Sequence, residues 1–308
     1  MDNTKFISLS SIRGGSGKTT IALGLSINLT KSGKKVLLID FDLAGPFLDI
    51  IFNYKPIYTL THYITRKNLD IDSKILTKKE FNLTLKHIIK NFKINNINLD
   101  VIFADRELYN MKTCLKILET NEGLEFVSNI FNDLKENYNY DYIIIDNGPG
   151  ILDTNLISNF ISNFVFFILR KRNSEIKDLG YWINIFKNAF SQSDQLIEWG
   201  IIFNQKVNNK VLIKNDEIKD KIILEIPFYQ DFGKITDNEF KYLMNNEEHP
   251  FFKDLNLILD FMKKETEIID KNLFCVNCGS KLRFFNKNRK DYQYFCKKCN
   301  AWVKSKGS

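Results

Sequence analysis

Short apolar runs alternate with amphipathic stretches along the first 230 residues, and the two periods predict a repeating strand–helix unit. The runs are KFISLSS (5–11), KVLLID (35–40), LDVIFAD (99–105), DYIIID (141–146), FVFFIL (164–169), WGIIFN (199–204) and KIILEIP (221–227). Most are apolar on both faces, as parallel strands buried between two layers must be. Between them, TTIALGLSINLTKSG sets Ile21, Leu25, Ile27 and Leu29 along one side and stops at Gly33, which is free to take a left-handed C-terminal cap. GLEFVSNIFNDLKENY repeats the helical period with Leu124, Val127, Phe131 and Leu134. Such a series predicts an α/β fold: a doubly wound, mostly parallel sheet with helices on both faces and ligands at the carboxyl ends of the strands.

Residues 66–98 exceed what a strand-to-strand crossover needs. Within them TKKEFNLTLKHIIKNF offers Thr77 and Glu80 as a capping box, then Phe81, Leu85, Ile88 and Phe92 at helical spacing. We expect an extra helix here, serving either to cover the sheet edge or to dock a partner.

Charge and cysteine content change the picture at the C-terminus. The net charge is +7, but the segment from residue 271 holds ten Lys or Arg against one acid, which leaves the first 270 residues at −2. Four of the five cysteines lie in the same segment, so a domain boundary is expected near 271, dividing 1–270 from 271–308. Cys114 stands apart on a predicted helix, as a buried apolar filler. FVFFIL is the longest apolar run, too short to cross a bilayer, and MDNTKFISLS lacks the basic and hydrophobic regions of a signal peptide, so a cytoplasmic location without a transmembrane segment is expected.

The first strand runs directly into RGGSGKTT and then a helix. Gly14, Gly15, Ser16 and Gly17 let backbone N–H groups converge on phosphate oxygens. Lys18 reaches the β and γ phosphates, Thr19 offers a hydroxyl to Mg²⁺, and Thr20 follows in the helix's first turn. The strict GxxxxGK[ST] pattern fails, because its first glycine falls at Ile12.

RGGSGKTT resembles the deviant Walker A motif of the MinD/ParA group of dimerising ATPases, usually KGGxGKT[ST]. Arg13 occupies the position of the lysine that, in that group, crosses the dimer interface to the partner's nucleotide; the other reading is an arginine on solvent or a local carboxylate. The resemblance continues in order along residues 5–262. LLIDFDLAGPFLD resembles the group's second motif, which implies that Asp40 lies near Mg²⁺ and Asp42 orients or activates the attacking water. DYIIIDNGPG resembles its Walker B strand, implying that Asp146 holds the metal's water shell. GIIFNQ nominates Asn204 to read adenine, and IPFYQD places Pro227 near the base. After FVFFIL, where relatives often have a Thr-Pro-Glu type turn, this chain has Arg170, Lys171 and Arg172. That cluster is either a contact for nucleotide, partner or polyanion, or a solvated turn.

The tail carries a second chemistry. Cys275 and Cys278, then Cys296 and Cys299, form two CxxC pairs 17 residues apart, the spacing of a zinc ribbon in which four thiolates hold structural Zn²⁺. So short a segment needs the metal to fold. Lys281, Arg283, Phe284, Phe285, Lys287 and Tyr292 interleave charge with aromatic surface, which suits nucleic acid as well as a small ribbon core with a solubilising surface.

Together the motifs point to an ATP-dependent, Mg²⁺-requiring switch. It would form a homodimer on ATP, with Arg13 acting in trans and Lys18 in cis, hydrolyse ATP, and position, assemble or regulate a dedicated protein partner or a nucleic-acid complex. The alternative is a metal-centre or iron–sulfur assembly ATPase of the Mrp type; four cysteines in one chain close the site and leave no open position for a transferable cluster.

Overall fold

The computed structural model describes residues 4–69, 83–94, 97–150, 152–192, 197–206, 213, 215–232, 239–246 and 248–270, with three strands beyond them. In chain order the elements are β1 (Lys5–Ser11), α1 (Lys18–Lys31), β2 (Val36–Phe41), α2 (Leu48–Ile51), α3 (Leu60–Leu69), α4 (Leu85–Ile88), β3 (Ile89–Ile94) and β4 (Ile97–Ile102). Then come α5 (Leu108–Leu118), α6 (Asn121–Asn137), β5 (Tyr142–Pro149), α7 (Asp153–Ile161), β6 (Phe164–Arg170), α8 (Asn173–Gln192), β7 (Glu198–Lys206), α9 (Asp216–Asp220) and β8 (Ile222–Pro227). The last are α10 (Glu239–Asn245), α11 (Pro250–Asp270), β9 (Arg283–Asn288), β10 (Asp291–Cys296) and β11 (Ala301–Lys304).

Eight strands form one sheet in the order β3-β4-β2-β5-β1-β6-β7-β8. Six of the pairings are parallel, and β3 alone runs antiparallel, against β4. The expected α/β sheet is therefore present, with β1 at its centre. On one flank Leu37, Ile39, Ile143 and Ile145 pack with Val127, Phe131 and Leu134 of α6 and with Cys114 of α5. On the other, Val165, Phe167 and Phe203 pack with Leu179, Trp182 and Phe186 of α8. Burying a side chain of this size is worth about 1.5–3 kcal/mol, so each cluster contributes strongly to holding its helices on the sheet.

α1 is buried all round rather than along one side: Ala22, Leu23 and Gly24 join Ile21, Leu25, Ile27 and Leu29. It ends as Gly33 predicts. Gly33 has φ 80°, its N–H donates to the Thr30 carbonyl at 3.0 Å, and Lys34 N–H donates to the Leu29 carbonyl at 3.1 Å.

The helix expected through Phe92 is corrected. Only Leu85–Ile88 is helical, and Ile89–Ile94 is an antiparallel edge strand with Ile89 opposite Ile102 and Phe92 opposite Leu99. The reason is pairing: two residues separate β3 from β4, and Phe92 thereby joins Phe52, Phe103 and Phe240 in an aromatic cluster. Lys90 and Lys93 on this outermost strand discourage further strand addition. Thr77, Glu80 and Phe81 lie outside the described residues.

The chain divides into two compact units, 1–257 and 258–308, with the division inside α11. In the second unit β9, β10 and β11 form an antiparallel sheet in the order β11-β10-β9. Cys296 ends β10 opposite Ala301, whereas Cys275, Cys278 and Cys299 lie outside the described residues. Among the described residues, no helix is long and apolar enough to cross a membrane.

Candidate functional site

The site is built where β1 ends and α1 begins. Gly15 and Gly17 take left-handed conformations, φ 72° and 84°, which turn the chain tightly enough for α1 to start at Lys18, with Gly17 as its N-cap. Gly17 has a second reason to lack a side chain: a Cβ there would stand 2.2 Å from Asn204 Nδ2. That nitrogen donates to the Ser16 carbonyl at 2.8 Å, tying the end of β7 to the loop. Gly14 and Gly15 are exposed, Lys18 is buried, and Thr19 and Thr20 are half-buried on the helix's first turn.

Three carboxylates converge on this loop from the neighbouring strands. Asp40 and Asp146 are opposite one another in the β2–β5 register, and both are almost wholly buried. Asp40 accepts the backbone N–H groups of Phe47 and Leu48 at 3.2 and 3.1 Å. Burial, and then the charge of Asp146, hold its carboxyl well above the usual carboxylate range. Asp42 is half-buried, accepts Gly45 N–H at 3.0 Å, and lies 2.9 Å from where a Cβ on Gly148 would stand. Burial raises its pKa, and the Lys18 charge partly opposes that rise.

Two observations bear on what this loop could hold. Ser16 Oγ is buried without a hydrogen-bond partner, a cost of about 1–3 kcal/mol that a phosphate oxygen would remove. A divalent cation would relieve the mutual repulsion of Asp40 and Asp146. The donor set fits a phosphate chain with a hard cation.

Other expected positions fall elsewhere. Arg13 is half-exposed and its Nη2 donates to Asp178 Oδ2 of α8 at 2.9 Å. Asn204 is buried beneath the loop rather than open beside it. Pro227 is exposed at the end of β8, opposite Lys206. Two members of the basic cluster are paired within the chain: Arg170 Nε donates to Glu175 at 2.9 Å, and Lys171 Nζ lies 2.5 Å from Glu225. Of the four ribbon cysteines, Cys275, Cys278 and Cys299 lie outside the described residues; among the described residues no group of three or more His, Cys, Asp or Glu is placed to hold a metal.

Sequence reading missed the polar support under the site. Asn147 Nδ2 donates to Ser8 Oγ, Ser158 Oγ donates to Asn147 Oδ1, and Ser8 and Ser10 both donate to Asn159 Oδ1. Asn155 Nδ2 donates to the carbonyls of Gly148 and Gly150 at 3.0 and 2.8 Å. This buried network fixes α7 against β1 and shapes the β5 turn beside Asp42. Its only sequence signal is the polar Ser8 and Ser10 inside an otherwise apolar strand.

Comparison with known proteins identifies the family. An AAA domain matches residues 4–171, more than half of the chain. An uncharacterized protein of Methanocaldococcus jannaschii is 34% identical over 145 residues, 47% of this chain and 51% of that one, so the chain spans about half of that relative's length. The septum site-determining protein MinD of Buchnera aphidicola is 24% identical over 262 residues, 82% of this chain and 86% of that one. The structure of MinD from Pyrococcus horikoshii complexed with Mg-ADP shares the fold at TM-score 0.63 and 18% identity, covering 87% of this chain and 99% of that one. With the loop, the strand order and these matches in agreement, the chain belongs to the AAA-domain family as a P-loop ATPase of the MinD/ParA type.

Proposed function

We propose that this protein is a Mg²⁺-ATP-dependent molecular switch that dimerises on ATP and separates after hydrolysis. The observation that carries the reading is the convergence of buried Lys18, the unpartnered Ser16 Oγ and the Asp40–Asp146 pair on one glycine-rich loop. Lys18 and the N–H groups of residues 14–19 hold the phosphates, and Thr19, Asp40 and Asp146 hold the cation. The cation, when bound, neutralises charge on the terminal phosphate. Asp42, its carboxyl raised by burial, orients the attacking water and accepts a proton from it. The MinD structure with Mg-ADP supports nucleotide and cation alike.

Arg13 is proposed to reach the partner's phosphates in trans. Its present contact with Asp178 is an exposed ion pair, worth at most about 1 kcal/mol, so exchanging it for a phosphate costs little. The test of the whole reading is a pair of variants: Lys18→Ala loses ATP binding, whereas Asp42→Ala retains ATP, stops turnover and accumulates as a dimer in light scattering. Normal hydrolysis by Asp42→Ala removes it as the water-orienting residue.

For residues 271–308 we propose a Cys₄ zinc ribbon that engages a protein partner or nucleic acid. Its support is the double CxxC spacing and the three-stranded antiparallel sheet whose central strand β10 ends at Cys296. The expected metal content is about one Zn²⁺ per chain, lost in Cys296→Ser while ATP binding persists. Iron as the main metal in elemental analysis would overturn the structural-zinc assignment.

A further inference from the structure

β5 lies between β2 and β1 in the sheet, so the turn at its end, Gly148 to Gly150, separates the two halves of the proposed chemistry. Asp42 stands just beyond the end of β2 on one side, and the phosphate loop follows β1 on the other. The turn touches both. A Cβ on Gly148 would stand 2.9 Å from Asp42 Oδ1 and 3.3 Å from its Cγ, so the Gly148 backbone is a wall against which that carboxylate rests. On the opposite side Gly150 N–H donates to the Ser11 carbonyl at 2.9 Å, and Ser11 Oγ donates to the Arg13 carbonyl at 2.9 Å. The turn is thus a spacer whose shape sets the distance from Asp42 to the loop.

Left to itself, this spacer has little to fix its shape. Two of its three residues are glycines, the residue type with the most backbone freedom to lose, and Gly150 takes a left-handed φ of 92°. The β1–β5 register also shifts between Leu9 and Ser11, where Ser11 meets Pro149, so the regular ladder gives out here. One side chain holds its carbonyls. Asn155, in the first turn of α7, uses both protons of its NH2 on the turn, donating to the Gly148 carbonyl at 3.0 Å and to the Gly150 carbonyl at 2.8 Å. Asn155 is 1% exposed, and its Oδ1 is buried without a partner among the described residues, so the carboxamide serves as a double donor. α7 gives it a firm base, because Ser158 and Asn159 of the same helix bond to Asn147 of β5 and to Ser8 and Ser10 of β1.

We propose that Asn155 is a positioning residue for hydrolysis: by tying Gly148 and Gly150 to α7 it fixes where Asp42 stands relative to the phosphate loop, acting through the turn rather than on the nucleotide. This rests on the assignment of Asp42 to the attacking water given above. The groups assigned to ATP binding, Lys18, Ser16 and Asp40, make no contact with Asn155, whereas the step that needs Asp42 depends on the turn that Asn155 holds. Loss of Asn155 therefore separates binding from turnover.

The experiment measures, on the full chain, the dissociation constant of Mg-ATP by competition against a fluorescent ATP analogue and the rate of phosphate release in a single turnover. The proteins are wild type, Asn155→Ala, Asn155→Asp and Asp42→Ala. Asn155→Ala should bind Mg-ATP within about twofold of wild type and release phosphate about ten- to a hundredfold more slowly, the loss expected when a reacting group is displaced by about 1 Å. Asn155→Asp keeps the shape, and a negative charge is favoured in the first turn of a helix. As a carboxylate, however, it donates nothing and faces two carbonyls; its protonated form donates one bond. Its rate divided by that of wild type should therefore rise as pH falls from about 8.5 to about 6, the titration of Asp42 being common to both proteins. A side chain that merely fills space gives a ratio that is flat with pH. Should the alanine variant fail to fold, the pH ratio of the isosteric aspartate variant carries the test. Phosphate release by Asn155→Ala at the wild-type rate overturns the assignment, as does a loss of ATP affinity that matches the loss of rate, or a flat pH ratio in Asn155→Asp. Normal hydrolysis by Asp42→Ala removes the Asp42 reading and this inference with it, and a wild type that binds no Mg-ATP removes the nucleotide-binding reading itself.

Discussion

Cys114 has no exposed surface on α5, and burial pushes its thiol up to about 12. An ordinary thiol ionises near pH 8.5, so between about 8.5 and about 12 the unfolded chain releases this proton while the folded chain keeps it. Stability from this group is complete below the first value and falls as pH rises through that window. The same burial predicts that native protein at pH 8 leaves Cys114 unmodified by iodoacetamide, whereas urea-unfolded protein is labelled there. Peptide mapping checks it, and labelling of Cys114 in the native state would contradict the packing of α5 on the sheet. This residue was legible from its apolar helical setting alone. Arg13 was legible only in part: its place beside the loop follows from the motif, but Asp178 is 165 positions away in sequence and no local pattern links them. Asn204 shows the same limit, since its bond to Ser16 spans 188 positions.

Strands and helices were legible in proportion to how far one period dominated. KFISLSS is β1 to the residue, because an apolar run that opens on Lys5 and soon gives way to Arg13 and the glycines admits one reading. Ile88, Ile89, Phe92 and Ile94 satisfy a helical face and a strand face about equally. Their fate is decided by pairing with β4, an interaction between segments that no window of either one reveals. α1 failed differently: its one-sided pattern was read correctly but understated, because Gly24 opens its other side to α11. A Cβ on Gly24 would stand 2.5 Å from Leu255 Cδ1 and 2.6 Å from Phe251 Cε1. Two effects oppose each other in Gly24→Ala. Helix propensity favours alanine by about 0.5–1 kcal/mol, while inserting a methyl into a closed contact costs about 1–3 kcal/mol. Overpacking is the larger, so urea denaturation should show a net loss of about 1 kcal/mol; a gain in stability would mean that α1 and α11 leave room between them.

At the scale of the whole molecule the proposed switch depends on a second copy, and the sharpest test mixes two defects that should repair one another. Arg13→Ala alone keeps every group that this chain offers its own nucleotide, so ATP affinity of the monomer should be nearly unchanged while ATP-induced dimerisation and hydrolysis fall. Arginines supplied in trans are worth about 10³–10⁵ in rate in other phosphoryl-transfer systems, and the loss here should lie toward or below the low end, since turnover in a switch of this kind is slow. Lys18→Ala alone binds no ATP but retains Arg13. In a mixed dimer the Arg13→Ala subunit holds ATP on its own Lys18, and the Lys18→Ala subunit lends its arginine across the interface. One complete site forms where neither variant alone has any, so phosphate release should recover partially and peak at an intermediate mixing ratio. Recovery requires that Arg13 leave Asp178, which the exposure of both side chains, 52% and 41%, permits. If Arg13→Ala dimerises and hydrolyses like wild type, Arg13 is a surface arginine held by α8. If it is defective but mixing restores nothing, its role is within its own subunit.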